Sequence, residues 1–326
     1  MKWEKFNRLC VLLLGCAVLA SNAAPTLDLK GYVDDSGAIS VLHRGSSSDP
    51  YFAMQALLLA NDNGMDITAP SRKFINWLLP RQKPDGTFDR FCRDDSQLWV
   101  ACKTADADDS LLALWMLLLS TQQTELSKNL AWQKSFETSK ASLDRLFQPS
   151  RGIYMVSPVY LHGLLMDNLE VWSYLSKSSQ PKRSAEASKL AQSIQATFWD
   201  PANKRFLVST QLEQRGEKAR FYPDHVAQLF PLLVKFSVTS RNEQPFYRQW
   251  MSSYREQWLK QSETDYPWGL IAVLALREND SFSVRCWLRE ATPLRHSSRW
   301  AITDEVAYQI VTNAQITSAP ASSECK

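Results

Sequence analysis

Residues 106–119 read Asp-Ala-Asp-Asp-Ser-Leu-Leu-Ala-Leu-Trp-Met-Leu-Leu-Leu, a cluster of acids that leads directly into an almost wholly apolar run. An apolar run of this length, without alternation of polar and apolar residues, is typical of a helix rather than a half-buried strand. Because its side chains are apolar on every face, such a helix must be buried on most sides. The stretch therefore predicts a buried helix that begins beside several carboxyl groups.

Five other apolar segments begin in a similar way. Counted together, the six helix starts are separated by 57, 61, 57, 41 and 39 residues and are marked by Asp49, Asp106, Asp167, Asp224, Asp265 and Asp304. Asp caps the free N–H groups of a helix start, and Pro fits the first turn, as in Asp49-Pro50. Helix capping is therefore one sufficient explanation for any single acid in this set.

Amphipathic segments such as residues 130–147 alternate with the apolar ones. They are followed by turns that contain Pro and then an aromatic residue, at positions 83–88, 148–154 and 200–206. A repeating unit of two helices predicts a closed ring of hairpins. With six helix starts, the expected fold is all-α, an (α/α)6 toroid over residues 24–320, with residues 321–326 as a tail.

The inner helices of such a ring point their N-termini toward one end. The six acids are therefore expected to converge around a single cleft. Like charges held close together raise some of the pKa values, so that one carboxyl acts as an acid while another acts as a base. The chain also has twelve Trp, and a surplus of aromatic residues often lines a ligand cleft.

The N-terminus has the three parts of a secretory signal peptide. Basic residues precede an apolar run at positions 9–20, and small residues follow it. We expect cleavage after Ala23 or Ala24, which removes residues 1–23 and makes the protein periplasmic or secreted. The alternative is a lipid anchor on Cys16. The apolar run is shorter than the ~20 residues that a membrane span needs.

The charge balance argues against a nucleic-acid partner. The formal charge is +3, and residues 1–23 hold three cationic residues and one Glu, which leaves about +1 for the rest. Nucleic-acid binding favours a concentrated basic face. No later segment is long and apolar enough to cross a membrane, and we expect a monomer.

Four cysteines follow residue 23. In an oxidising compartment Cys92 and Cys102 can close a ten-residue loop, which would staple a wall of the cleft around Trp99. The pairing of Cys286 with Cys325 stays open, because connectivity does not follow from sequence.

These motifs resemble glycoside hydrolase family 8, a family of six-hairpin glycosidases with an (α/α)6 fold. That family carries an acid at the start of the first inner helix, where this chain has Asp49 in place of the usual Glu. Its Asp-Ala-Asp motif is matched by residues 106–108, and a later Tyr-Asp-type segment is matched by residues 222–224. The resemblance implies a hydrolase that cleaves a polysaccharide or oligosaccharide without a cofactor.

Glycoside hydrolysis needs two carboxyl groups on opposite sides of the bound sugar. The resemblance implies that Asp49 donates the proton and that Asp224 activates water, in an inverting reaction. It also implies that Asp108, together with Asp106, orients the sugar.

Other residues near the predicted cleft are candidates for the same chemistry. Glu170 is a second candidate acid or base, because it lies three residues after Asp167 on one helical face, and Glu305 is a third. Sugar rings stack on aromatic side chains, while carboxylates bind their hydroxyl groups. The expected substrate contacts are Asp106, Asp109, Asp167, Trp99, Tyr51, Tyr222, Tyr266 and Trp268.

The acidic motif also resembles that of the terpene cyclases. Residues 106–109 match their Asp-x-Asp-Asp pattern, and residues 77–88 are similar to their Gln-Trp repeat, with Phe88 in the place of the final Trp. An exported protein has poor access to prenyl diphosphates, and the chain is short for a two-toroid cyclase. This resemblance supports the same fold.

Two further functions remain open at this point. One is a non-catalytic glycan-binding protein of the same fold, and the other is a polysaccharide lyase that abstracts a proton with Tyr or His. No metal site is expected, because the four histidines have no ligand spacing. The sequence also has no Gly-rich phosphate loop and no Gly-x-Ser-x-Gly nucleophile elbow.

Overall fold

The computed structural model describes residues 24–178, 181–213, 218–236, 243–318 and 325. The predicted signal peptide at residues 1–23 lies outside this part, as does most of the predicted tail. The described strands are short, and they are β1 Ser47–Ser48, β2 Asp89–Arg93, β3 Trp99–Thr104, β4 Phe147–Gln148, β5 Ile153–Tyr154, β6 Trp199–Asp200 and β7 Arg205–Phe206. Helices supply the rest of the regular structure.

Six helices form a closed inner ring. Each packs against the next one in chain order, and the last packs against the first. The predicted (α/α)6 toroid is therefore confirmed. The inner helices are α1 Pro50–Asp62, α3 Asp108–Thr121, α6 Leu165–Ser176, α8 Val226–Leu233, α10 Gly269–Arg277 and α12 Ile302–Asn313.

A second layer of helices surrounds this ring. Each of the first five inner helices is followed along the chain by an outer helix, and a one-turn helix, α4 Gln123–Leu126, lies between α3 and its outer partner. The outer helices are α2 Thr68–Leu78, α5 Leu130–Leu146, α7 Pro181–Phe198, α9 Glu243–Lys260 and α11 Ser281–Ala291.

The N-terminal segment 24–48 packs on α12. In the described part of the chain, α12 is not followed by an outer helix. Asp28 and Gln309 exchange two hydrogen bonds between backbone and side chain. The backbone N–H of Ile302 also donates to the carbonyl of Val41. Because side chains of this segment are buried in the common core, it shields the outside of the sixth inner helix.

The two kinds of helix differ in burial as their sequences predict. In α3, every residue from 109 to 119 is buried. In α5, the buried residues recur on one face only, as expected for an amphipathic helix. Each fully buried Leu contributes about 1.5–3 kcal/mol, so the apolar residues buried along inner helices such as α3 are a major source of stability.

Two of the predicted Pro-containing turns are antiparallel hairpins at the ends of outer helices. Phe147 pairs with Tyr154, and Trp199 pairs with Phe206. In the first of the three turns, Gly86 has a φ of +89° and lies so close to the Thr138 carbonyl that a Cβ would approach to 2.9 Å. These turns return the chain to the ring end at which the inner helices begin.

Two disulfides link cysteines within the described residues. Cys92–Cys102 crosslinks β2 to β3, as the sequence suggested, and Cys286–Cys325 ties the C-terminal end to α11. The second pairing, which the sequence left open, involves a completely buried Cys286.

Replacing both Cys286 and Cys325 with Ser should lower Tm more than the same change at Cys92 and Cys102. The two bonds span 39 and 10 residues, and the chain-entropy model gives about 4 and about 3 kcal/mol for such loops. Calorimetry on both double variants under oxidising conditions provides the measurement. A larger loss for the short loop would contradict the expectation.

Candidate active site at the mouth of the helical ring

A cavity of about 400 Å³ opens at the end of the ring where the inner helices begin. Its volume lies within the ~300–1,000 Å³ typical of small-molecule sites. Residues at or near the start of all six inner helices contribute to its wall. The polar and aromatic side chains that line it include Asp49, Asp106, Asp167, Asp265, Asp304, Arg90, Tyr51, Phe52, Tyr222, Tyr266 and Trp268.

Five of the six predicted acids meet in this cavity, and Asp224 does not. Before α8 the chain makes an irregular turn over Phe221–His225. The Asp224 carboxylate accepts a hydrogen bond from the backbone N–H of Arg220 and lines a separate cavity of about 210 Å³. Tyr222, two residues earlier, takes the place at the mouth.

Capping accounts for only some of the five acids. Asp49 is the N-cap of α1 and accepts the backbone N–H of Tyr51 at 3.0 Å. Asp304 accepts the N–H groups of Gly269 and Ala301. Asp106, Asp167 and Asp265 accept no backbone N–H among the described hydrogen bonds of this region, so another cause must hold their carboxyl groups at the mouth.

Arg90 on β2 bridges two of these carboxyl groups. Its Nε lies 2.7 Å from Asp49 Oδ2, and its Nη2 donates to Asp106. Burial raises the pKa of Asp49, although the Arg90 charge opposes that effect. Arg90 carries no signal in the sequence, because its role depends on the pairing of β2 with its neighbours.

Asp167 is a buried acid that faces the cavity, and Asp109 lies behind it. Burial raises the pKa of Asp167 to about 7, although the neighbouring Asp109 side chain opposes this rise. Asp109 is completely buried in the first turn of α3. Burial, together with the nearby Asp167 charge, holds the pKa of Asp109 well above its usual range.

Glu170 lies one turn deeper on α6 and supports the wall. The hydroxyl of Tyr51 donates to Glu170 Oε1 at 2.9 Å, and the Gln55 amide donates to that same hydroxyl. Burial and the Asp167 charge raise the pKa of Glu170 well above its usual range. Glu170 therefore reaches the cavity only through Tyr51, which lines it.

The aromatic part of the wall is built around Trp268. Its backbone is left-handed, with φ of +53°, which costs an ordinary residue about 1–2 kcal/mol. Asp304 stabilises this turn by accepting the N–H of Gly269 at 2.7 Å, while burial raises the pKa of Asp304 to about 7. The Trp268 ring stacks on Tyr222 at 5.1 Å, and its indole N–H points to Asp265 at 3.4 Å.

The other predicted site residues lie outside the cavity wall. Asp108 is near Lys83, and burial raises its pKa. Trp99, at the start of β3, donates its indole N–H to Asp34 of the N-terminal segment. Glu305 is almost completely buried and is tied to Arg295 by two hydrogen bonds, which indicates a structural role.

Within the described residues, no group of three or more His, Cys, Asp or Glu side chains is arranged to hold a metal ion. In that same part of the chain, no helix is long and apolar enough to span a membrane.

Comparison with solved structures places this fold among (α/α)6 toroids. A novel alpha-amylase from Clostridium perfringens is similar with a TM-score of 0.61 at 10% identity, over 88% of this chain and 95% of that one. A cold-adapted family 8 xylanase has a TM-score of 0.53 at 8% identity, over 89% and 87%. A D-mannose isomerase has 0.51 at 12%, over 87% and 94%.

Sequence comparisons add no closer relationship. No family model matches the chain, and no curated protein sequence matches it. At such low identities the structural similarity establishes the fold alone.

Asp167→Asn should reduce the dependence of stability on pH. The pKa of Asp167 rises from 3.8 to about 7 on folding, so the folded state binds this proton more tightly than the unfolded state. That stabilisation is fully present below pH 3.8 and disappears as pH rises through 7. Between pH 5 and pH 8 the wild type should therefore lose about 2–3 kcal/mol that the variant does not lose.

Urea unfolding of both proteins at pH 5 and pH 8 measures this difference. The histidines are unchanged in the variant, so their contributions cancel in the comparison. Equal pH dependence in the two proteins would contradict the assignment of a raised pKa to Asp167.

Proposed function

We propose that the protein is an exported glycoside hydrolase that acts at the mouth cavity. The observation that carries this proposal is the convergence of five carboxyl groups, from the starts of five different inner helices, beside several aromatic rings. Carboxylates bind sugar hydroxyl groups, and aromatic faces pack against the apolar faces of sugar rings. Two disulfides support an oxidising compartment.

Asp167 is the proposed proton donor. Its carboxyl lines the cavity, and burial raises its pKa to about 7. A general acid works best when its pKa lies near the working pH. Asp167 can therefore hold a proton at neutral pH and give it to the oxygen of the leaving sugar. The resemblance to family 8 had assigned this role to Asp49, which here is paired with Arg90.

Asp265 is the proposed base. Its half-buried carboxylate lines the cavity from the segment before α10, and its contact with the Trp268 indole N–H fixes its orientation. In the ring, α10 is separated from α6 by α8, so the two carboxyl groups enter the same cavity from helices that are not neighbours. Asp224, the base implied by the family resemblance, lines a different cavity.

In the proposed reaction, a water molecule attacks the anomeric carbon as the glycosidic C–O bond breaks. Asp265 takes one proton from the attacking water, and Asp167 gives its proton to the departing oxygen. The products are two sugar hydroxyl groups, and no proton is gained or lost overall. Such acid–base pairs contribute by holding opposite protonation states at the same pH.

The remaining polar groups are proposed to hold the sugar. Arg90 fixes the carboxylates of Asp49 and Asp106 as a rigid acceptor surface, which suits the donation of sugar hydroxyl protons. Tyr222 and Trp268 form a stacked pair at the wall, against which a sugar ring can pack. The fold similarity to an alpha-amylase and a xylanase supports a substrate among polysaccharides and their oligosaccharides.

Asp167→Asn and Asp265→Asn should each lower kcat by about 10²–10⁴. Each change removes a proton-transfer group while it preserves the shape of the side chain, so binding of the oligosaccharide should persist. Release of reducing ends from a panel of soluble glucans and xylans gives kcat, and calorimetric titration with the cleaved oligosaccharide gives Kd.

Asp224→Asn is the matched control, since Asp224 also lies before an inner helix but outside the cavity. It should keep kcat within about twofold of the wild type, in contrast to a change at a proton-transfer group. Loss of activity in this variant alone would favour the assignment implied by the family resemblance. Binding without cleavage by the wild type would favour a glycan-binding protein.

A further inference from the structure

Two histidines join the N-terminal segment 24–48 to the connection between α11 and α12, at residues 292–301. The imidazole rings of His43 and His296 stack with 4.1 Å between their centroids and 16° between their planes. The buried ring of Tyr32 packs at a steep angle against both of them, at 5.5 and 6.3 Å. The stack is therefore a contact between two parts of the ring wall that are far apart in sequence.

His43 is held firmly within its own segment. Gly31 has a φ of +84°, and a Cβ at that position would collide with the His43 ring. The backbone N–H of Arg44 donates to the carbonyl of Gly31, which closes the loop that carries His43. Because these contacts fix the ring in place, a force on His43 acts on the segment as a whole.

The charged groups around the stack come from three elements. Arg44 lies on the N-terminal segment, Arg295 lies on the connection, and Glu305 lies on α12. Glu305 Oε2 is 3.5 Å from Nε2 of His296, and the Glu305 carboxylate also accepts two hydrogen bonds from Arg295. Glu305 can offset one imidazolium charge, but its carboxylate is already shared with a permanent cation.

A second proton on the stack is therefore unfavourable. Burial and the charges of His296 and Arg44 lower the pKa of His43, although Glu305 opposes them. Burial also keeps the pKa of the Tyr32 phenol above its usual range, so this neighbour stays neutral. In the unfolded chain His43 takes up a proton near pH 6.5. The stability from this contact is thus fully present above pH 6.5, and it is lost as the pH falls through the lower pKa of the folded state.

The segment that the stack holds in place supports the mouth of the ring. The backbone N–H of Ile302, at the start of α12, donates to the carbonyl of Val41. The segment ends in β1, which pairs with β2 and directly precedes Asp49. On the other side of the stack, Glu305 follows Asp304 in α12, and both Asp49 and Asp304 line the mouth cavity. Each side of the stack therefore leads within a short stretch of chain to an acid of the mouth.

We propose that the His43–His296 stack is an acid-sensitive latch, which holds the N-terminal segment on α12 at neutral pH and loosens it when both imidazoles carry a proton. At neutral pH the two rings pack as uncharged aromatic groups. In mildly acidic solution the repulsion between two stacked imidazolium rings is relieved only when the segment moves away from the connection. The latch does not depend on the proposed hydrolase function.

Amide hydrogen exchange at Ile302 tests the latch, because this N–H is bonded to the N-terminal segment. Its protection factor corrects for the intrinsic effect of pH on exchange. In the wild type the factor should fall at least about fivefold between pH 7.5 and pH 5. In His43→Phe, which keeps an aromatic ring that cannot be protonated, the fall should be less than about twofold.

His225→Phe is the matched control. His225 also stacks on an aromatic ring, that of Tyr254 at 4.0 Å, but it lies before α8, so this variant should keep the wild-type response at Ile302. His296→Asn provides a second test should His43→Phe fold poorly, since Asn tolerates the left-handed backbone at that position, with φ of +67°. Its protection should be lower than in the wild type at both pH values and should change by less than about twofold between them.

An equal fall at Ile302 in the wild type and in the variants that lack one of the two imidazoles would overturn the proposal. A fall of the same size in the buried amides of α3 would do so too, because it would report opening of the whole ring rather than release of the segment.

Discussion

Six helices, each with more than half of its residues buried, can bury those residues together when they pack side by side and close on themselves. In this chain the ring closes through contacts between α12 and α1, and residues at or near the starts of all six helices line one cavity. The N-terminal ends of helices carry free N–H groups and partial positive charge, which favour carboxylates. Ring closure thus brings distant acids together at a single mouth, and the other features of the site follow from that crowding.

Crowded carboxyl groups must be neutralised, and the site does this in two ways. The Arg90 guanidinium lies between Asp49 and Asp106 and supplies a permanent positive charge. Asp167 and Asp109 are buried, and within the described residues each has a carboxyl oxygen without a hydrogen-bond donor. Burying these carboxyl groups costs free energy that the apolar core of the ring must offset. Such a loss of stability is common at functional sites.

The sequence was sufficient for the fold because the inner helices are apolar all round and their starts repeat. It also placed five of six acids at the mouth, since that follows from ring closure. Asp224 could not be placed, because an irregular turn over Phe221–His225 puts Tyr222 at the mouth instead. The role of Arg90 depends on strand register, which leaves no periodic signal in one sequence.

Similar toroids occur in an alpha-amylase, a xylanase and a D-mannose isomerase, so the fold by itself does not select a reaction. The distinction between the two kinds of neutralisation in this cavity is more informative. A guanidinium remains charged and can only hold its partners in place, whereas a proton on a buried carboxyl group such as Asp167, whose pKa burial raises, can be transferred and replaced. In the proposed reaction the proton therefore comes from the Asp167 side of the mouth, and the Asp49–Arg90–Asp106 side is suited to binding sugar hydroxyl groups.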